Sequence, residues 1–193
     1  MKKLLTKRTL LTFLTVLLTL ILVCVALYFM FEPNIDRALY PREYSELVEK
    51  YAKQYDVPEN LVYAVMRTES GFDPQAISRV GAVGLMQMMP STFRWLTEDI
   101  LVESLEDDAL YDPEVSIRYG VFYLRRMYDR YGDWQTALAS YNAGSGRVDG
   151  WLEDKTLTDW KGDLIVDRIP FEETRGYVKK VVKAYDAYSR LYP

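Results

Sequence analysis

The segment TLLTFLTVLLTLILVCVALYFMF, Thr9–Phe31, contains no charged residue. It exceeds the ~20 residues that a helix needs to cross a bilayer. In lipid every backbone N–H and C=O must be paired within the segment, so a helix is the local structure open to it. Lys2, Lys3, Lys7 and Arg8 precede it, and basic flanks stay on the cytoplasmic side. The expected organisation is therefore a cytoplasmic tail at 1–8, a transmembrane anchor at 9–31, a linker at 32–43 and an extracytoplasmic domain at 44–193. Pro33 and Pro41 are the expected breakers of the linker. A cleaved signal peptide would have a shorter apolar core, roughly 7–15 residues, and a small-residue exit site, and no good A-x-A pattern stands here. Cys24 follows Leu22-Val23, a poor context for lipid modification. The run is also too long and too uniformly apolar for an ordinary core helix.

The remaining ~150 residues can bury one core, and their pattern is helical. Leu47, Val48, Tyr51, Ala52 and Tyr55 share one face, and Leu61, Val62, Val65 and Met66 continue at helical spacing to Glu69 after a break at Asp56–Pro58. Gly71 and Pro74 close that second helix. STFRWLTEDIL reads as a further helix. YDPEVSIRYGVFYLRRMYDRYG opens on an Asp-Pro start and stops at Gly132, and DWQTALASYNAG stops at Gly144. The last helix carries Val178, Val181, Val182 and Tyr185 on one face. No alternating strand pattern of useful length and no regular repeat is present, so the domain is expected to be all-α.

Composition removes several chemistries. The chain has no histidine and one cysteine. A Ser-His-Asp triad, a Cys-His pair, a histidine-bound metal and a disulfide framework are excluded. The net charge of -4 argues against nucleic acid as the main partner. The 16 tyrosines offer flat apolar faces with a hydroxyl, which suit sugars as well as cores.

Glu69 is the conspicuous carboxylate, at the end of an apolar helical run. Partial burial and the negative end of the helix dipole would both raise its pKa, and a carboxyl kept protonated near neutrality is a general acid. Periodicity leaves open the alternative of a helix-end Glu in solvent or paired with Arg67 or Arg79. Glu172 and Glu173 stand at a helix start, where the dipole favours the anion; capping would account for Glu172. Gln87 lies in the apolar segment GLMQMMP and must satisfy its amide by holding a loop or by binding a ligand. Asn142 is either a helix C-cap or a polar site residue. Met86, Met88 and Met89 suit core packing.

Four ordered blocks, ESGFDP with Glu69-Ser70, GAVGLMQMMPST, SYNAGSGRV and IPFEETRGYV, together resemble the soluble lytic transglycosylase family, relatives of goose-type lysozyme. The resemblance covers nearly all of the chain from Tyr44 onward. It implies a lysozyme-like α-helical fold with a cleft for peptidoglycan strands, Glu69 as sole catalytic acid, and Ser70, Ser78, Gln87, Met89, Tyr141, Asn142, Glu173 and Tyr177 lining the cleft or supporting the acid. It also implies that Gly84 lets the chain turn closely there and that Tyr141 hydrogen-bonds Glu69 or substrate. Ser116 departs from the Asn usual in the family, which bears on a helix-start contact.

By the same resemblance, one carboxyl group serves both halves of the reaction. Glu69 would protonate the oxygen of the β-1,4 bond between N-acetylmuramic acid and N-acetylglucosamine. It would then take the proton of the C6 hydroxyl as a 1,6-anhydro ring closes, without metal or organic cofactor. The implied partners are glycan strands, the membrane through the N-terminal helix and an envelope assembly, at a bacterial cell membrane. Two other readings stand beside this one. A second carboxylate opposite Glu69 would favour a hydrolytic muramidase; Asp73 is nearest in sequence but lies in a turn. A glycan-binding envelope scaffold would need no acid at all.

Overall fold

The structure is a computed structural model that describes the backbone of residues 7–193 and the side chains of 8–26 and 37–193. Lys2 and Lys3 of the expected tail lie outside the described residues. The chain divides into a unit ending at Pro41 and a unit running Arg42–Pro193.

The first unit is one helix, α1, Lys7–Leu39. Its stretch Arg8–Ala26, 19 residues of mean hydropathy 2.7, is long and apolar enough to cross a membrane. The hydroxyls of Thr12, Thr15 and Thr19 donate to the carbonyls of Arg8, Thr12 and Thr15 at 2.8–2.9 Å. These polar atoms are therefore satisfied within the helix, as an apolar surrounding requires. Pro33 is not the breaker expected of it: α1 continues through it to Leu39. An internal proline costs a helix one hydrogen bond and some strain, but the turns on either side continue. The break falls at Tyr40–Pro41, where the residue before a proline is steered out of the helical region.

The second unit begins at Arg42, two residues before the expected boundary, because Arg42 is tied into it. Its guanidinium lies 4.8 Å from the Tyr63 ring centroid and 5.1 Å from that of Tyr192, and it pairs with Glu59. Seven helices follow: α2 Ser45–Tyr55, α3 Glu59–Glu69, α4 Pro90–Trp95, α5 Pro113–Tyr131, α6 Trp134–Ala143, α7 Ser145–Glu153 and α8 Glu172–Leu191. Among the described residues only isolated β-bridges occur, such as Val83 with Met88. The all-α expectation holds.

Helix α3 is the centre of the domain. Each of Leu61 to Met66 is 3% exposed or less, so the helix is enclosed on all sides and not only on the face that periodicity marked. It packs against α8 and α2, while α5 packs on α2 and α6, and α6 on α8. Tyr63 of α3 stacks on Tyr188 of α8 at 5.4 Å. A second cluster gathers Phe93, Leu96, Leu110 and Tyr119, all fully buried, between α4 and α5.

Local chemistry sets the ends of these helices. Asp112 accepts from the Glu114 and Val115 N–H groups at 2.8 and 3.1 Å to start α5, and Gly132 ends it at φ 72°. Asp133 accepts from Thr136 N–H at 2.7 Å to start α6. Each cap contributes about 1 kcal/mol. The expected helix STFRWLTEDIL is two pieces: α4 gives way to a π-helical turn over Leu96–Leu101, closed by Val102 at φ 53°. There the Thr97 hydroxyl donates back to the Phe93 carbonyl at 2.6 Å, a back-bond that tends to bend helices.

Candidate active site

Because α3 runs through the core, its last residue emerges at the floor of a cleft. Glu69 is that residue. The cleft, of about 320 Å³, is lined by Glu69, Ser78, Gln87, Met89, Tyr141, Asn142 and Glu173, and also by Val80, Thr92 and Tyr123. Burial is the first cause that pushes the Glu69 carboxyl from its ordinary 4.5 up to about 7, and the Tyr177 hydroxyl partly offsets the rise. Among the described residues Glu69 joins no salt bridge, so the pairing with Arg67 or Arg79 is set aside. Burial also pushes the Tyr141 and Tyr177 hydroxyls well up from 10. Both therefore stay protonated across the physiological range. The Tyr177 hydroxyl faces Glu69 from α8 but makes no hydrogen bond of normal geometry.

One wall of the cleft is the loop from Gly84 to Met88. Val83 and Met88 exchange backbone hydrogen bonds at 3.0 Å, and Gln87 N–H donates to the Gly84 carbonyl at 3.1 Å. The turn needs φ 78° at Gly84 and 47° at Gln87. Glycine is required at 84 for a second reason: a Cβ would run into the Leu110 carbonyl oxygen and the Ser116 hydroxyl. Gln87 holds its unusual conformation with its own amide, whose Nε2 donates to the carbonyls of Ala76 and Gly84 at 3.0 and 2.9 Å. It thus holds the loop, and it lines the cleft as well.

The other residues singled out by sequence take varied positions. Ser70 does not line the cleft. Its hydroxyl donates to the Leu85 carbonyl at 2.9 Å and accepts from Phe72 N–H at 3.1 Å, tying the end of α3 to the loop. Ser78 Oγ accepts from Ala82 N–H at 2.9 Å. Asn142 lies inside α6 and is not its C-cap, a place taken by Gly144; its Oδ1 accepts from Thr174 Oγ1 of α8 at 2.7 Å. Met86 and Met88 are core residues, whereas Met89 is partly exposed on the cleft. Glu172 caps nothing, since Phe171 holds the N-cap position without a side-chain bond.

Of the two contacts that the resemblance offered to Tyr141, the one with Glu69 is not made by donation: its hydroxyl donates to the Met86 carbonyl at 2.8 Å. Asp73 lies in its turn as expected: its carboxylate accepts from Gln75 N–H at 2.9 Å, and it does not line the cleft. The carboxylate that shares the cleft with Glu69 is Glu173, exposed in the first turn of α8. Ser116, far from being confined to a helix start, is fully buried and accepts from Met86 N–H at 3.2 Å. Tyr123 was not legible as a site residue; its ring lies 5.4 Å from that of Tyr141.

The site can therefore hold one carboxyl proton near neutrality, in a polar cleft whose wall is set by backbone bonds. Comparison with known proteins agrees with this geometry. The chain is 38% identical over 157 residues to the soluble lytic murein transglycosylase of Escherichia coli (strain K12), covering 79% of this chain and 24% of the relative. It is 31% identical over 173 residues to the membrane-bound lytic murein transglycosylase C of Actinobacillus pleuropneumoniae serotype 5b (strain L20), covering 78% and 47%. The chain thus spans about a quarter to a half of the length of these relatives. Among solved structures, the 70 kDa soluble lytic transglycosylase of Escherichia coli superposes with a TM-score of 0.71 at 38% identity, over 79% of this chain and 25% of that one. An inactive Glu-to-Gln mutant of the lytic transglycosylase Slt from Pseudomonas aeruginosa gives 0.70 at 32% identity, over the same shares. These likenesses carry the lysozyme-like α-helical fold over to the domain. The model of the transglycosylase SLT domain matches residues 46–161, and with the α3 carboxyl at the cleft floor the chain belongs to that family.

Proposed function

We propose that this protein is a peptidoglycan lytic transglycosylase, held at the bacterial cell membrane by α1 as a single-pass anchor with the catalytic domain on the extracytoplasmic side. The observation that carries the reading is Glu69: a carboxyl at a cleft floor in an SLT domain, raised to about 7 by burial. Such a group is protonated often enough to donate and ionised often enough to accept. Two of the relatives support the reading from their own side. One is a membrane-bound lytic murein transglycosylase, and another loses activity with a single Glu-to-Gln exchange.

In the proposed reaction Glu69 gives its proton to the β-1,4 glycosidic oxygen as the C1–O bond breaks. The C6 hydroxyl of the same muramic sugar then attacks C1, its proton passes to the Glu69 carboxylate, and the acid is restored. No water is consumed. The internal nucleophile benefits from a high effective molarity, ~10⁵ M or more in well-oriented cases. Tyr177 supports the ionised form of Glu69, while Gln87, Ser78 and Ser70 hold the wall against which the sugar lies. Asn142, Met89 and Glu173 face substrate. The reading needs no cofactor, and its partners are glycan strands, the membrane and an envelope assembly.

The test is the pH dependence of glycan-suspension clearing by the full chain. The first step needs the protonated acid, so kcat/KM is expected to fall as pH rises through about 7, the value to which burial raises Glu69. Tyr177→Phe removes a group that favours the anion. It should move that limb to higher pH, by about one unit at most. A limb that stays put in Tyr177→Phe, or lies near the ordinary 4.5 in the wild type, would take Glu69 out of the rate-limiting proton transfer.

A further inference from the structure

The junction of α6 and α7 sets an arginine at the rim of the cleft. Asn142, Ala143 and Gly144, at the end of α6, line the cleft, as does Glu173 of α8. Arg147 follows in the first turn of α7, and its Nη1 donates to the Ala143 carbonyl at 3.1 Å. That carbonyl belongs to the last turn of α6, where the helix dipole favours a cation. The guanidinium also sits over the Phe171 ring, its central carbon 4.5 Å from the centroid. Phe171 is fixed in turn by an edge contact with Trp151 at 5.5 Å, and it stands two residues before Glu173. Arg147 is thus exposed to solvent and still held from two sides.

Those two contacts leave most of the guanidinium unused. It carries five N–H donors in one plane, and the carbonyl of Ala143 takes one of them. The ring engages its face and leaves its edge open. Among the described residues no carboxylate pairs with Arg147, although Arg94, Arg118, Arg125 and Arg130 each hold one. A fixed guanidinium with a free edge matches the two oxygens of a carboxylate. The cleft itself offers an anion nothing, because the charged side chains that line it, Glu69 and Glu173, are both acidic. In an intact peptidoglycan strand the sugars are N-acetylated and the lactyl group of the muramic sugar is closed as an amide, so the sugars are uncharged. The free carboxylates lie on the peptide stem, and the stem is therefore the part of the strand that Arg147 complements.

We propose that Arg147 binds a free carboxylate of the peptide stem, so that the protein selects strands whose stems carry that charge. The proposal rests on the reading of the cleft as a peptidoglycan site, but it concerns binding and can be tested without turnover. The experiment measures the Kd of the full chain in detergent micelles for soluble stem-bearing glycan fragments. One set of fragments is native, and in the other the stem carboxylates are converted to amides. Glu69→Gln is the carrier background, so that neither set is cleaved. Amidation changes the charge of the whole ligand, so the deciding quantity is the ratio of the two Kd values with and without Arg147. Arg147→Met, whose side chain can still pack on Phe171, is expected to reduce the preference for native over amidated fragments by about fivefold, the size of one exposed charge-assisted pair. Arg147→Lys keeps the charge without the planar fork and should retain part of the preference. A ratio that Arg147→Met leaves unchanged overturns the proposal. So does a loss with lysine as complete as with methionine, which would make Arg147 structural, and so does failure to bind either set. A preference of the expected kind beside a wild type that cleaves no glycan would instead overturn the functional reading and leave this one standing.

Discussion

Glu69→Gln should fold, still bind glycan and lose nearly all cleavage. Glutamine keeps the size and shape of the side chain but can neither donate nor accept the proton. General acid–base groups contribute about 10²–10⁴-fold. Here one group serves both steps, so the loss is expected at the upper end of that range or beyond. The same variant should also be more stable than the wild type at neutral to alkaline pH. Glu69 has its pKa raised from 4.5 to about 7 in the folded protein, so the folded state holds this proton more tightly than the unfolded chain does. The stability it contributes is fully present below 4.5 and is lost as pH rises to about 7. Glutamine carries no such loss. The difference at pH 8 should be on the order of 1–3 kcal/mol, the upper figure being the full shift before allowance for the group's partial solvation. Melts of both proteins at pH 4 and pH 8 check this; curves that differ equally at both values would contradict a raised pKa.

Gly84→Ala is expected to have the largest effect on stability of any single methyl addition in the cleft wall. The position needs φ 78°, which costs a residue with a Cβ about 1–2 kcal/mol. The new carbon would also press on the Leu110 carbonyl oxygen and the Ser116 hydroxyl. Overpacking of that kind adds roughly 1–3 kcal/mol. The melting temperature should therefore fall by on the order of 10 °C. Cleavage should fall further than stability, because the Met86 carbonyl that holds Tyr141 and the Gln87 side chain both ride on this turn. Calorimetry beside a cleavage assay at a temperature where both proteins are folded separates the two. An alanine variant with wild-type melting and rate would show that the loop can move aside.

The position of Glu69 was legible because helix signals bracket it. An apolar run leads in at helical spacing, and Gly71 and Pro74 close the helix just beyond. What lay around it was less legible. Periodicity marked one face of α3, yet Tyr63 and Ala64 are as buried as Leu61 and Val65, since neighbours cover a central helix on every side. Helix α7, Ser145–Glu153, was not expected, as Gly144, Gly146 and Gly150 conceal it. Tyr123 could not be told from the other tyrosines of α5, because a cleft-facing ring and a core-facing ring share one periodicity. The acceptor of the Tyr141 hydroxyl was not legible for a different reason. Its acceptor is a backbone carbonyl, and a carbonyl's direction is set by the φ and ψ of a loop, which side-chain identity does not encode. Glu173, whose place in the first turn of α8 followed from the block IPFEETRGYV, lies 104 positions from Glu69 in the chain, and only the fold brings it to the same cleft.

The central claim is that Glu69 supports an internal attack by the sugar and not the attack of water. Mass analysis of the soluble products released from purified glycan by the full chain tests it most directly. The account predicts muropeptides ending in 1,6-anhydro-N-acetylmuramic acid, lighter by one water than their hydrolytic counterparts and absent with Glu69→Gln. Products carrying only reducing ends would contradict it, keep Glu69 as the acid and move the enzyme to the muramidases.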